Sequence, residues 1–370
     1  MFDDIIKAAK ESSSSASGEA ASFVKSDSPI APVNEGNECV RIAVIGVGGA
    51  GCNCVHRLTE SNIRSARTVA VNTDGKHLAI TNAHKKLLIG KQITRGLGAG
   101  GDPSVARKAA EADRDLLKRE IGENELVFVV AGMGGGTGGG AASIIAQLMK
   151  DQGAIVVGIV TYPFALERVR IKKAQQSIQE LIKVCDTLIV IDNNKLSSYV
   201  PNLPITKAFE LADSITIRAV RGIADTIMFP SLINIDYADV RTVMENGGLA
   251  MISLGEAGGM DKVEHVVKDT LQHPLLEVNY EGARGALIHI SGGEDLTLGD
   301  AIKTGERISE SFDSMANVKL GARVEPGLTE KVRVMAIITG VKSPYIYKKD
   351  DSQSEGLDMA VRESDALQYL

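Results

Sequence analysis

The stretch Ala131-Gly132-Met133-Gly134-Gly135-Gly136-Thr137-Gly138-Gly139-Gly140-Ala141-Ala142 puts seven glycines into the nine positions that begin at Gly132. An apolar run, Leu126-Val127-Phe128-Val129-Val130, leads into it, and Ser143-Ile144-Ile145-Ala146-Gln147-Leu148-Met149 leads out. The pattern predicts a buried strand, a glycine loop and a helix. Such a loop has no side chains in the way and can take positive φ. Its amides can converge on one anion at the head of the next helix, where the dipole also favours negative charge. Thr137 adds one hydroxyl. A flexible linker is the plainer alternative, but linkers are rarely clamped between a Val/Phe strand and an Ala/Ile/Leu helix.

Outward from this stretch, strands and helices alternate. Val40–Ile45 reads as a strand that runs into the loop Gly46-Val47-Gly48-Gly49-Ala50-Gly51-Cys52-Asn53, with helix from Cys54 to Thr59. Thr68–Val71 and Lys86–Ile89 are further strands. A third glycine-rich turn, Arg95-Gly96-Leu97-Gly98-Ala99-Gly100-Gly101-Asp102-Pro103, opens a helix expected to run through Arg107 to about Ile121. Strands at 154–160 and 187–191 flank a helix at 170–184. Runs apolar throughout, alternating with helices, indicate a parallel sheet covered on both faces. A long helical pattern spans 206–227, and Pro230 ends it. Beyond it, helices at 261–272 and 297–312 and strands at 286–290, 318–324 and 332–338 predict a smaller α/β domain.

The 370 residues suffice for two ordinary domains, and 44% are hydrophobic. A net charge of −6 and the absence of Trp argue against a nucleic-acid surface or base-stacking platform. No apolar run approaches the roughly 18 residues of a membrane helix. Met1-Phe2-Asp3-Asp4 does not resemble a signal peptide. Cys39, Cys52, Cys54 and Cys185 form no CxxC pair, which fits a reducing cytoplasm, and the histidines show no zinc spacing. Phe2, Ile5, Ile6 and Ala9 share one helical face before a Ser-rich linker. They read as either a plain disordered tail or a short amphipathic anchor. The polar stretch from Lys342 reads as a tail, with Leu357–Leu370 as either an unbound end or a binding peptide.

Two chemistries compete for the glycine loops. Gly46-Val47-Gly48-Gly49-Ala50-Gly51 satisfies GxGxxG after a strand, with Asp74 about twenty residues on, which is the dinucleotide fingerprint of an oxidoreductase. Against it, Asp74 falls beyond the second strand, and a dinucleotide has no use for three anion cradles. A triphosphate suits three cradles better, yet GxxxxGK[ST] is absent, so this is not a P-loop protein.

Gly134-Gly135-Gly136-Thr137-Gly138-Gly139-Gly140 resembles the signature GGGTG[ST]G of the tubulin/FtsZ family, with Gly139 where Ser or Thr is usual. Asn234-Ile235-Asp236-Tyr237-Ala238-Asp239-Val240-Arg241 is similar to the NxDFADVR loop of its FtsZ branch, with Tyr237 for Phe. Thr94–Gly101 matches a third pattern. The likeness covers about residues 40–340 and is nearest to the archaeal type. It implies a tubulin/FtsZ-like α/β fold: a disordered extension at 1–38, a doubly wound parallel-sheet GTPase domain at 39–205, a central helix at 206–228, a C-terminal activation domain at 229–341 and a tail at 342–370.

The resemblance also implies a site. Gly49, Ala50, Gly51, Cys52 and Asn53 would wrap the nucleotide, with Asn53 toward guanine and Asn72 near the ribose and phosphates. Ala99, Gly100 and Gly101 would face the γ-phosphate, and Gly135, Gly136, Thr137 and Gly138 the α- and β-phosphates. Glu167 and Arg170 would contact the ribose side. They stand three apart where the family has four, so Arg168 is the alternative. Phe209 would stack on the base and Asp213, one turn on, would accept from guanine, which offers donors adenine lacks; read without the motifs, Phe209 is core and Asp213 solvated. Asp236 and Asp239 read locally as a helix N-cap and first-turn acid. By resemblance they act instead, with Asn234 and Mg²⁺, on the GTP of the next subunit. The implied protein is a GTPase that converts GTP to GDP and assembles head to tail into a homopolymer of the division ring. It would lie in the cytoplasm at mid-cell, with membrane-tethering or division proteins on its termini. A tubulin-like structural protein that binds GTP with weak turnover is the alternative.

Overall fold

The computed structural model describes residues 40–195, 202–229, 231–259, 261–271 and 280–342. The expected extension before residue 39 and the tail after Lys342 lie outside them. The first half is built from β1 (Ile42–Val47), α1 (Gly48–Glu60), β2 (Arg67–Asn72), α2 (Gly75–Ile80), β3 (Lys85–Leu88), α3 (Lys91–Thr94), α4 (Pro103–Ala112), α5 (Arg114–Ile121), β4 (Leu126–Gly132), α6 (Gly136–Asp151), β5 (Ile155–Tyr162), α7 (Arg168–Val184) and β6 (Thr187–Asp192). The long α8 (Ile205–Met228) follows. After it come α9 (Tyr237–Met244), β7 (Gly248–Gly258), α10 (Lys262–Leu271), β8 (Gly285–Gly292), α11 (Leu298–Ser309), β9 (Asn317–Val324) and β10 (Lys331–Thr339).

All ten strands form one sheet, in the order β3-β2-β1-β4-β5-β6-β7-β10-β8-β9. From β3 to β7 every neighbour is parallel. β10 then runs antiparallel to both β7 and β8, and β9 lies parallel to β8. The expected smaller domain is therefore joined to the first through a short ladder, Thr187↔Gly248 to Ile189↔Ala250. β7, which makes that join, was not expected from the sequence. Its run Leu249–Leu254 is bracketed by glycines but shows no alternation, so periodicity alone does not separate it from a buried helix.

The central strands have no polar side because both faces are covered. Ala43, Ile45, Val127 and Val129 point to a core with Ala109, Leu117, Ile145 and Ile178 from α4 to α7. Ile42, Val44, Leu126 and Phe128 point the other way, to Val55 and Leu58 of α1 and to Leu211, Ile215 and Val220 of α8. α8 also reaches the second half of the sheet. A methyl on Gly222 would stand 2.2 Å from the Met335 sulfur of β10, so the helix and that strand pack through a bare backbone.

Two expectations are corrected. The GxGxxG segment is not a loop, because helix begins at Gly48 itself. The helix expected to run unbroken to Ile121 stops at Asp113. This residue leaves helical geometry (φ −108°, ψ 23°), and its carboxylate accepts from Gly90 N at 2.6 Å. That bond ties the break to the turn after β3.

Phe128 is fully buried at the centre of the sheet. Phe128→Ala is expected to lower unfolding stability by about 3–5 kcal/mol, read as a drop in urea midpoint at unchanged m-value.

Candidate functional site

β1, β2 and β4 end side by side at one edge of the parallel sheet, and the segments that follow them meet there. A methyl on Gly48 would stand 2.8 Å from Gly138 N, one on Gly132 2.7 Å from Ala50 Cβ, and one on Gly136 2.9 Å from Ala99 Cβ. The segment at 132–138 is thus packed closely against each of the other two. Gly49, Gly100 and Gly101 instead have open space where a side chain would start. Gly100 and Gly101 hold φ of 59° and 74°, a region other residues rarely adopt. Tight against each other and bare on the outside, the segments make a cradle.

Its charge character comes from two helix heads. α1 begins after Val47 and α6 after Gly135, and neither has a side-chain cap. Their first-turn amides are left for an outside acceptor, which the helix dipoles favour as an anion. α2, α4 and α9, by contrast, are capped by Asp74, Asp102 and Asp236. Asp74 accepts from Lys76 N and His77 N at the head of α2. Thr137 Oγ1 lies 2.8 Å from Thr73 Oγ1. Thr73 escaped the sequence reading, since its only signal is a hydroxyl one residue beyond a strand end.

Other expected residues divide. Cys52 turns into the core, its thiol toward Gly46 O and Val71 O, and burial pushes its pKa up to about 12. Gly51 likewise backs onto Val130 O. At these two positions only main chain is left for a ligand. Asn53 is exposed on α1. Asn72 is buried, and its Oδ1 accepts from Thr73 N (2.9 Å) and Asp74 N (3.2 Å), so it shapes the turn that aims Thr73. Glu167 accepts from Phe164 N at 3.1 Å and pairs with Arg170. Arg170 is the arginine on the glycine loop: its main chain and Cβ crowd Gly134, and its guanidinium lies beside Gly135.

At the far side of α1, Asp213 of α8 receives Arg57 at 3.2 Å. Burial raises the Asp213 pKa to about 6, Arg57 opposes the rise and Glu210 adds to it. Phe209 lies on the same helix, but its side chain is outside the described residues.

Asn234, Asp236 and Asp239 are not with this group. Asp236 caps α9, and with Asp239 it forms a reciprocal capping box, the local reading realised. Tyr237 Oη donates to Glu125 O at 2.9 Å, just before β4 begins, whereas the glycine loop leaves where β4 ends. Seven residues of strand, about 20 Å, separate the two. The same bond accounts for Tyr at a position where Phe is usual: the hydroxyl has a partner. Gly139 also has a local reason. A Cβ there would stand 2.7 Å from Ser177 Oγ of α7 and 3.6 Å from Pro103 Cγ.

Comparison with known proteins divides the chain in two, with Asn234–Asp239 between the matched ranges. The family model for the Tubulin/FtsZ family, GTPase domain, matches residues 41–201, and that for the FtsZ family, C-terminal domain, matches residues 248–342. "Cell division protein FtsZ 2" of Methanocaldococcus jannaschii is 56% identical over 84% of this chain and 82% of its own length. The protein of the same name from Halobacterium salinarum is 50% identical over 83% and 78%. Among solved structures, an empty FtsZ dimer from M. jannaschii aligns with a TM-score of 0.77 at 45% identity, covering 81% of this chain and 88% of that one. CetZ1 from Haloferax volcanii, at 24% identity and a TM-score of 0.72, shares the fold.

Gly139→Ala is expected to destabilise the protein by about 1–3 kcal/mol through crowding of Ser177. Ser177→Ala in the same chain should recover most of the loss, so a thermal-denaturation double-mutant cycle will show strong coupling.

Proposed function

The chain belongs to the tubulin/FtsZ family of GTPases, and from that premise we propose how its two separated groups of residues work together. It is a polymerising GTPase of cell division. In our reading the cradle of Gly49–Asn53, Ala99–Gly101 and Gly135–Gly138 holds the phosphates by main-chain amides, with Thr137 as hydroxyl donor. Glu167 and Arg170 take the ribose side, and Phe209 and Asp213 take the guanine. Asn234, Asp236 and Asp239 supply the hydrolytic half, positioning water for in-line attack on the γ-phosphorus of the next subunit's GTP. One observation carries this: the capped loop and the cradle sit at opposite ends of β4, about 20 Å apart, so one chain cannot close its own site. A head-to-tail contact supplies the missing half, and a heterologous contact that does not close makes filaments.

Among the described residues, no group of three or more His, Cys, Asp or Glu side chains could form a metal cage. A Mg²⁺ would come in on the phosphates, with the Thr73 and Thr137 hydroxyls as hard oxygen donors at the head of α6. When bound, the ion neutralises charge on the transferring phosphoryl group. No helix among the described residues is long and apolar enough to cross a membrane. Placement at a mid-cell ring would use tethering or division partners, for which the apolar residues Phe2, Ile5 and Ile6 near the start of the sequence and the polar stretch after Lys342 are candidate handles.

GTP turnover per subunit, followed across protein concentrations with light scattering in parallel, tests the shared site. Turnover should appear only above a threshold, together with scattering. Turnover independent of concentration would return Asp236 and Asp239 to helix capping alone, and GTP bound but never hydrolysed would point to a structural protein. Asp239→Ala should bind GTP as the parent does and lose at least about a hundredfold in turnover.

Asp213 makes the nucleotide site pH-sensitive. Its carboxylate must be ionised to accept from guanine, so GTP affinity should fall as pH drops through about 6. Asp213→Asn should flatten that part of the profile in a titration by fluorescent GTP analogue. The sign for stability is opposite. With its pKa raised from 3.8, the acid favours the folded empty subunit below about pH 4, and that gain is lost as pH rises through about 6.

A further inference from the structure

The loop between α8 and α9 leaves Asn234 and Asp236 exposed, yet it is held from one side by a single strand. β9 adds Ile233 to the sheet as an isolated bridge: Ile233 N donates to Ala322 O, and Ala322 N donates back to Ile233 O, both at 3.1 Å. Next along β9, Arg323 sends its guanidinium into the loop's root. Nη2 donates to Asp225 O at 3.0 Å and to Phe229 O at 2.9 Å, two carbonyls at the C-terminal end of α8. Nε donates to Ser231 Oγ at 3.2 Å, and the group lies 6.0 Å from the Phe229 ring centroid. Ser231 passes the hold on, since its N–H donates to Asn234 Oδ1 at 2.5 Å. At the other end of the loop, Lys319 of β9 pairs with Asp239 at 2.8 Å.

We infer that Arg323 is a positioning residue for GTP hydrolysis, fixing through Ser231 the placement of Asn234 and of the Asp236/Asp239 pair before a neighbour's nucleotide arrives. The inference rests on the role proposed above for that loop. The chemistry suits arginine alone. Three acceptors on two segments need a planar fork with several N–H groups, whereas a lysine ammonium reaches from one point. The guanidinium also carries positive charge to the C-terminal end of α8, where the helix dipole favours it. Holding the loop in advance matters because a hydrolytic group misplaced by about 1 Å can lose about a hundredfold in rate.

The test uses the full chain with Arg323→Lys, Arg323→Ala, Ser231→Ala and Asp239→Ala. Turnover at saturating GTP is read separately from GTP affinity, and both are read against thermal melting. Arg323→Lys should lose about tenfold in kcat and Ser231→Ala about fivefold, with GTP affinity within twofold of the parent and Asp239→Ala inactive. Should Arg323→Ala fail to fold, the lysine and Ser231 variants decide. Parent-like kcat in both, beside an inactive Asp239→Ala, would overturn the positioning role and leave the loop's role standing. Affinity lost in step with turnover would also overturn it, by marking Arg323 as a general support of the fold. Full turnover in Asp239→Ala would remove the loop from the reaction, and Arg323 with it.

Discussion

The direction of the strands governs everything else in this molecule. Six successive neighbours, from β3 to β7, run parallel, so each of their following segments must emerge at the same edge of the sheet. That brings three glycine segments into one place without any of them being near another in sequence. It also puts anything preceding a strand at the opposite edge. Asp236 and Asp239 are therefore excluded from the cradle by topology rather than by distance along the chain. Close approach at glycines then does the fine work: Gly48 against Gly138, Gly132 against the Ala50 methyl and Gly136 against the Ala99 methyl leave no room for a side chain at any of the three.

Much of this was legible in the sequence because glycine and apolar runs report backbone demands directly. Strand–glycine–helix order located the cradle, and long Val/Ile runs announced a sheet covered on both sides. What was lost was whatever depends on a partner far along the chain. Asp113 interrupts a helix because Gly90 waits for its carboxylate, and nothing near Asp113 says so. β7 was missed since its neighbours, β6 and β10, are separated from it by about sixty and eighty residues. Cys52 seemed to belong to the nucleotide side of its segment. Once helix begins at Gly48, though, its position faces the sheet. Thr73 was invisible for a related reason, as its hydroxyl acquires meaning only opposite Thr137.

The departures from the family pattern have local causes of the same kind. Tyr237 brings a hydroxyl that finds Glu125 O, and Gly139 is kept small by Ser177. The two changes alter how α9 is seated on the sheet and how α6 packs against α4 and α7, and leave the division between cradle and loop as it was.

In the head-to-tail assembly we propose, that division gives the subunit a head and a foot, and a stack of such subunits is a vector. Each junction joins one cradle to one loop, so a row of n subunits has n−1 complete sites, whatever its length. The two tips differ in kind. One ends in a cradle that no loop overlies, and the GTP held there has nothing to hydrolyse it. The other ends in a loop with nothing beneath it to act on. An arriving subunit at the first tip starts the clock on the nucleotide already there, whereas one arriving at the second brings a nucleotide that the waiting loop engages at once. The polarity of a parallel sheet is thereby copied into an assembly whose ends age differently.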